Sequence, residues 1–185
     1  MLIALLATVV SASLLGIAMG LSPRLQALVD PWVELLRPLP PLAYLPLIII
    51  WCGIGEGSKI LLIYLSMFAP LLIATVQGVN RVDHSRLQAV RSLGANRRQL
   101  IQLVVLPSAL PDMLTGLRVA VGVGWSCLVA AELVATSQGL GFMVQSAAQF
   151  LATDIVIAGI LLIAALALGC ELGLRWLQRR FANWH

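Results

Sequence analysis

The chain has 185 residues, of which 60% are hydrophobic and 11% charged, and it carries a formal net charge of +4. A mean hydropathy of +0.97 excludes an ordinary soluble domain and implies a polytopic membrane protein, for which an all-α helical bundle is the expected fold. The sequence pI of about 9.5 does not point to nucleic acid. The basic residues gather between 81 and 98 and at Arg175, Arg179 and Arg180, where they set topology instead.

Taken in order, residues 2–21 are long enough to cross the hydrocarbon core. Nothing basic precedes this run and no small-residue cleavage site ends it, so it does not read as a signal peptide. Ser11, Ser13, Gly16, Ala18 and Gly20 give it a face suited to close helix packing. Arg24 and Arg37 then place residues 21–39 on the inner side and Met1 on the outer side.

Residues 37–55, RPLPPLAYLPLIIIWCGIG, are apolar but interrupted by Pro38, Pro40, Pro41 and Pro46. A short span over 41–54 is expected, of the broken kind tolerated where protein or a water-filled cavity receives its free backbone groups. Two readings stand for Tyr44 and Trp51: aromatics lining a transport path, or interface anchors, the second being favoured for Trp51. A tight outer turn at 53–59 leads into an inward span over 58–78, with a kink expected at Pro70.

Residues 81–107, RVDHSRLQAVRSLGANRRQLIQLVVLP, are the one substantial polar interruption. Arg81, Arg86, Arg91, Arg97 and Arg98 sit there against a single acid, Asp83, which puts the loop in the cytoplasm. Two short helices are expected. Ser85 with Gln88 can form a capping box for the first, whose face would carry Leu87, Val90, Arg91 and Gly94. Gly94 can end it in the left-handed conformation, Asn96 can cap the second, and Pro107 would mark the turn into the next span.

An outward span over 110–135 follows, with Asp112 in its first turn and a small-residue ridge at Gly116, Ala120 and Gly124 that fits either an intrachain or a subunit contact. Arg118 lies about 12 Å from its cytoplasmic end at 1.5 Å per residue. It is either a functional intramembrane charge or a side chain reaching back to the surface. Glu132, near the outer end, is either functional or in contact with outer water. Trp125 is either path-lining or plain packing beside Gly122 and Gly124. Residues 135–154 contain no Lys or Arg, consistent with an external position, and their middle is amphipathic enough for a short surface or dipping helix. A last span over 155–174 ends inside at Arg175, Arg179 and Arg180, with Trp176 and Trp184 as interfacial anchors.

The sum is one transmembrane domain over 1–185, with five spans and a cytoplasmic C-terminus. Cys52, Cys127 and Cys170 are scattered without metal-ligand spacing, and His84 and His185 are isolated. With no catalytic constellation in the sequence, the chain reads as a non-enzyme without a cofactor or metal of its own.

The spacing from Gly94 through nine residues to Val104, one residue, then Leu106 and Pro107 resembles the EAA loop of ABC importer permeases, which is Glu-Ala-Ala, three residues, Gly, nine residues, Ile, one residue, Leu-Pro. Gln88 stands where that pattern has Glu, Val90 where it has the second Ala, and Val104 where it has Ile. Without the resemblance, the loop would read as an amphipathic segment held to anionic lipid by its arginines. Residues 37–65, 106–135 and 139–154 look similar to the same family, in the subfamily serving taurine, alkanesulfonates, nitrate, bicarbonate and thiamine-precursor pyrimidines; the last of these stretches tilts the resemblance to taurine. Permeases of that family usually have six spans, so the expectation is that the first is missing here, through a fragment or a misplaced start.

The resemblance implies a bacterial inner-membrane importer of two permease copies, two cytoplasmic ATPases that bind ATP and magnesium, and a periplasmic substrate-binding protein. It implies ATPase-coupling roles for Leu87, Gln88, Ala89, Arg91, Gly94 and Ala95. Tyr44, Arg118, Trp125 and Glu132 are the candidates for a translocation path. The competing classes are a secondary transporter, which would show paired half-repeats and midplane ionisable groups, and a membrane scaffold or channel subunit, which would leave the loop spacing unexplained.

Overall fold

The computed structural model describes residues 1–135 and 138–181, and among these the chain is helical with no strand. Trp184 and His185 lie outside the described residues. Among the described residues four helices are long and apolar enough to cross a membrane, and a bent pair makes a fifth if it is counted as one span.

The first helix, α1 (Leu2–Leu21), buries Ala4, Thr8, Ala12, Gly16 and Met19 along one stripe while Leu2, Ile3, Leu6, Val10 and Leu14 stay exposed. Small residues inward and large apolar residues outward is the pattern of a helix that packs closely on protein and faces lipid with its other side. Its partner is α4 (Glu56–Asn80). A Cβ added at Gly16 would lie 2.7 Å from Thr75, and one at Gly20 would lie 2.5 Å from Val79. The buried hydroxyls of Thr8, Ser66 and Thr75 donate to carbonyls of their own helices, so none is left unpaired in the core.

Residues 21–39, placed on the inner side by their arginines, contain α2 (Pro23–Leu36), with Pro23 in the first turn, where a missing N–H costs nothing. The segment expected as a short broken span, 41–54, follows. It is a 3₁₀ turn at Pro41–Tyr44 followed by α3 (Leu45–Cys52), only eight residues long and about 12 Å at 1.5 Å per residue. The two segments Pro23–Leu36 and Pro41–Cys52 meet at 84°. Arg37 to Pro41 contains three prolines, which remove backbone donors and bias the preceding residues away from the helical region, so no single straight helix forms across them.

The most extensive packing joins α4 to α7 (Leu106–Ala135). Gly116, Ala120 and Gly124 form that contact: Cβ atoms at the two glycines would lie 2.2 Å from Ala74 Cβ and 2.6 Å from Met67, and Ala120 is fully buried. The ridge is therefore used within the chain. Beyond α7, α8 (Leu140–Gln149) packs on both α7 and α9 (Thr153–Phe181). Gly159 of α9 lets Val144 approach to within 2.5 Å of where its Cβ would be. Most of α9 is bare, with Ile160, Leu161, Leu168 and Leu172 among its exposed residues.

Candidate functional site

Between α4 and α7 the chain leaves the bundle as two short helices, α5 (His84–Ser92) and α6 (Arg97–Leu100). The cap of α5 is not Ser85 but Asp83, whose carboxylate accepts the Ser85 backbone N–H at 2.9 Å. An acid two residues earlier supplies both a fixed acceptor and a charge that the helix dipole favours, so it outcompetes the hydroxyl. The far end closes in a Schellman arrangement: Ala95 N–H donates to the Val90 carbonyl at 3.3 Å and Gly94 N–H to the Arg91 carbonyl at 3.0 Å, with Gly94 at φ +82°. Asn96 then caps α6 in a reciprocal box with Gln99, whose side chain accepts the Asn96 N–H at 2.9 Å.

The chain does not turn at Pro107. After α6 a π-helical segment, Ile101–Val105, runs straight into α7, so that residues 97–134 form one continuous rod. A proline in a helix clashes with the carbonyl four residues back, and the widened turn just upstream gives it room.

The loop is tied down on its inner side. Leu87 packs against a cluster of buried Val79, Val82, Val105 and Ala109 at the ends of α4 and α7. Gln88, Ala89 and Arg91 remain exposed, Gly94 is exposed with nothing near its α-carbon, and Ala95 is half-buried. The expected coupling residues thus divide into one inward anchor, an outward polar face and a helix stop. At the root of the loop, Arg81 Nη1 donates to Asp112 Oδ1 at 2.9 Å.

A groove of about 810 Å³ runs along the bundle between the bent α2–α3 unit, α4 and α7, with Trp51 towards one end and Arg81 with Asp112 at the other. Tyr44 lines it, half-buried, its hydroxyl donating to the Leu39 carbonyl at 2.9 Å. Arg118, Trp125 and Glu132 are not among its lining residues. Arg118 instead donates to Glu171 of α9 through Nε at 3.1 Å and to Gln178 at 3.3 Å. Glu171 also accepts from Arg175, and Gln178 donates to Thr115 of α7, which completes a polar ladder between the two helices. Glu132 accepts the Gly141 backbone N–H at 2.9 Å at the start of α8. Trp125 is half-buried, and its indole N–H finds no acceptor among the described residues.

Sequence reasoning passed over Glu171. The signal was present: one acid in the last apolar segment and one arginine in the preceding span, each a few residues from its basic end, are a natural pair.

Comparison with known proteins agrees with this geometry. The taurine transport system permease protein TauC of Escherichia coli K12 is 59% identical over 184 residues, which is 100% of this chain and 67% of that protein. A putative aliphatic sulfonates transport permease protein SsuC of Bacillus subtilis is 40% identical over 171 residues, 92% of this chain and 62% of its own length. The chain thus spans about two thirds of the length of these relatives. Among solved structures, a chain of the MetNI methionine ABC transporter in an inward-facing form superposes with a TM-score of 0.72 at 17% identity, covering 96% of this chain and 93% of that one, and it shows the shared fold. The family described as the binding-protein-dependent transport system inner membrane component matches residues 12–183, and the chain belongs to it as an all-helical, multi-pass permease component of the ABC importer class.

Proposed function

We propose that this chain carries taurine, or a closely related small sulfonate, across the inner membrane. The observation that carries this reading is the 59% identity to the taurine permease along the whole chain, against 40% to the aliphatic sulfonate protein. The functional unit pairs two permease copies with two cytoplasmic ATPases, which bind ATP and magnesium and do the hydrolysis, and with a periplasmic binding protein that delivers substrate. The C-terminus lies on the cytoplasmic side, as the run of Arg175, Arg179 and Arg180 favours.

In this reading α5 seats on the ATPase. Its exposed face of Gln88, Ala89 and Arg91 meets the partner, Leu87 holds it to the bundle, and Gly94 with Ala95 ends it cleanly. A short helix stopped at both ends transmits a rigid-body displacement. Gln88 presents an amide where the family loop has a carboxylate, so its contact with the ATPase is a hydrogen bond. The groove lined by Tyr44 forms one wall of the path. Arg118 and Glu132 act by holding α9 and α8 in place, and Trp125 packs inside the bundle.

The test is ATP hydrolysis and uptake by the permease–ATPase complex with its binding protein in lipid, comparing taurine, longer alkanesulfonates, nitrate and bicarbonate. The same measurement is made on a chain extended upstream. Stimulation by taurine alone is the expected result. Stimulation by another ligand moves the substrate within the class. A stable, ATP-hydrolysing complex that ignores every loaded binding protein removes the importer reading.

A further inference from the structure

Arg81 is the C-cap of α4 and Asp112 sits near the start of α7, 31 residues on, and the α5–α6 loop hangs between them. Their side chains are 71% and 31% exposed, so as an isolated surface pair they would add little stability. Their placement is more informative than their strength. The pair stands where two cavities meet: the 810 Å³ groove on one side, and on the other a recess of about 340 Å³ walled by Asp83 and Arg86 of the α5 entry. At the same level Gly78 brings the helices together, since a Cβ there would lie 3.0 Å from both the Ala109 carbonyl oxygen and Asp112 Cβ. One turn further, Leu87 reaches from α5 into the cluster of Val79, Val82, Val105 and Ala109.

A loop attached only by its two chain ends can swivel without moving the helices that carry it. Here the swivel is blocked by a backbone contact at Gly78, an apolar plug at Leu87 and an ion pair across the root. We propose that Arg81 and Asp112 are positioning residues for transport: they close the root of the coupling loop, so that a push on α5 tilts α4 and α7 together, and with them the wall of the groove. This rests on the permease reading above.

The test measures uptake and ATP hydrolysis side by side in proteoliposomes, per mole of assembled complex, for Arg81→Gln, Asp112→Asn and the charge reversal Arg81→Asp with Asp112→Arg. The expected result is that both single variants still hydrolyse ATP while uptake per ATP falls about tenfold, within the range of energetic coupling between distant sites, and that the reversal recovers most of the loss. A structural role alone would lower the amount of complex and leave uptake per ATP unchanged, which would overturn the proposal. So would a reversal no better than the single variants. Wild-type complex that takes up no ligand overturns the permease reading and the proposal with it, whereas wild-type uptake beside unaltered variants overturns the pair alone.

Discussion

Arg118 of α7 and Glu171 of α9 meet through a bond of 3.1 Å from the arginine Nε, in a part of the bundle where both flanking segments are apolar. This contact attaches a helix that is otherwise nearly bare, and it explains how an arginine sits in one span and a glutamate in another. Each charge is tolerated because the other is there, and Gln178, Thr115 and Arg175 take up further donors and acceptors.

Removing Glu171 takes the carboxylate from Arg118, and removing Arg118 leaves Glu171 only the more exposed Arg175, so Arg118→Gln and Glu171→Gln should each destabilise the protein. The double variant should lose less than their sum. A favourable coupling between the two positions is expected, as for polar contacts between membrane helices. Unfolding in mixed micelles gives the four stabilities. Strict additivity would show that the two side chains do not interact and would return Arg118 to the list of path residues.

Gly94 carries a different cost. Its φ of +82° suits glycine, while a Cβ there would meet nothing within 4 Å, so any penalty on substitution is backbone strain and not crowding. Gly94→Val should cost the loop about 1–2 kcal/mol and abolish transport while the protein still inserts. Gly94→Asn, which tolerates the left-handed region, should keep most of the activity. Comparable losses for both variants would mean that the helix stop is not what matters, and normal transport by the valine variant would remove α5 from the coupling role.

At the α4–α7 contact the cost is spatial. A Cβ at Gly116 would fall 2.2 Å from Ala74 Cβ, and both helices carry buried side chains that prevent a shift. Gly116→Ala should therefore destabilise by about 1–3 kcal/mol, the usual range for overpacking. Ala74→Gly in the same chain should recover much of it, because it removes the atom in the way. Gly122→Ala, where nothing lies within 4 Å, is the neutral control. Thermal melting of the detergent-solubilised protein reads the three variants against the wild type, and no recovery in the double variant would contradict the packing described.

Much of this was legible in the sequence because it depends on local patterns. The apolar runs of α1, α4, α7 and α9, the small-residue ridge on α7 and the stop at Gly94 are set by composition, spacing and a single backbone conformation. What escaped depends on competition or on distance. Asp83 and Ser85 can both cap a helix, and only the built turn shows that the acid takes the Ser85 N–H. Residues 23–36 are read only for the side of the membrane on which they lie, and the helix α2 that forms there carries Pro31 within it. Pro107 reads as a break until the π-helical segment ahead of it is seen. Glu171 and Arg118 are 53 residues apart, and nothing local joins them.

Glu132 bears on how the other end of the bundle is held. Its carboxylate accepts the Gly141 N–H at 2.9 Å, at the first turn of α8, and both glycines there leave room for it: Cβ atoms at Gly139 and Gly141 would lie 2.5 and 2.7 Å from the glutamate side chain. Gly139 also needs its φ of +124°. A helix N-terminus offers unpaired N–H groups and a positive dipole end, and α8 receives an acceptor for them from the neighbouring helix. Glu132→Ala should therefore free the start of α8 at a cost of about 1 kcal/mol, the usual value of a lost cap, while Glu132→Gln, which keeps an acceptor oxygen, should cost less. Hydrogen exchange at the amides of residues 140–143 is the direct readout. Faster exchange in the alanine variant, with near-normal exchange in the glutamine variant, is the expected pattern. Unchanged exchange in both, together with lost transport, would show that α8 does not depend on the carboxylate and that Glu132 acts on the substrate's route instead.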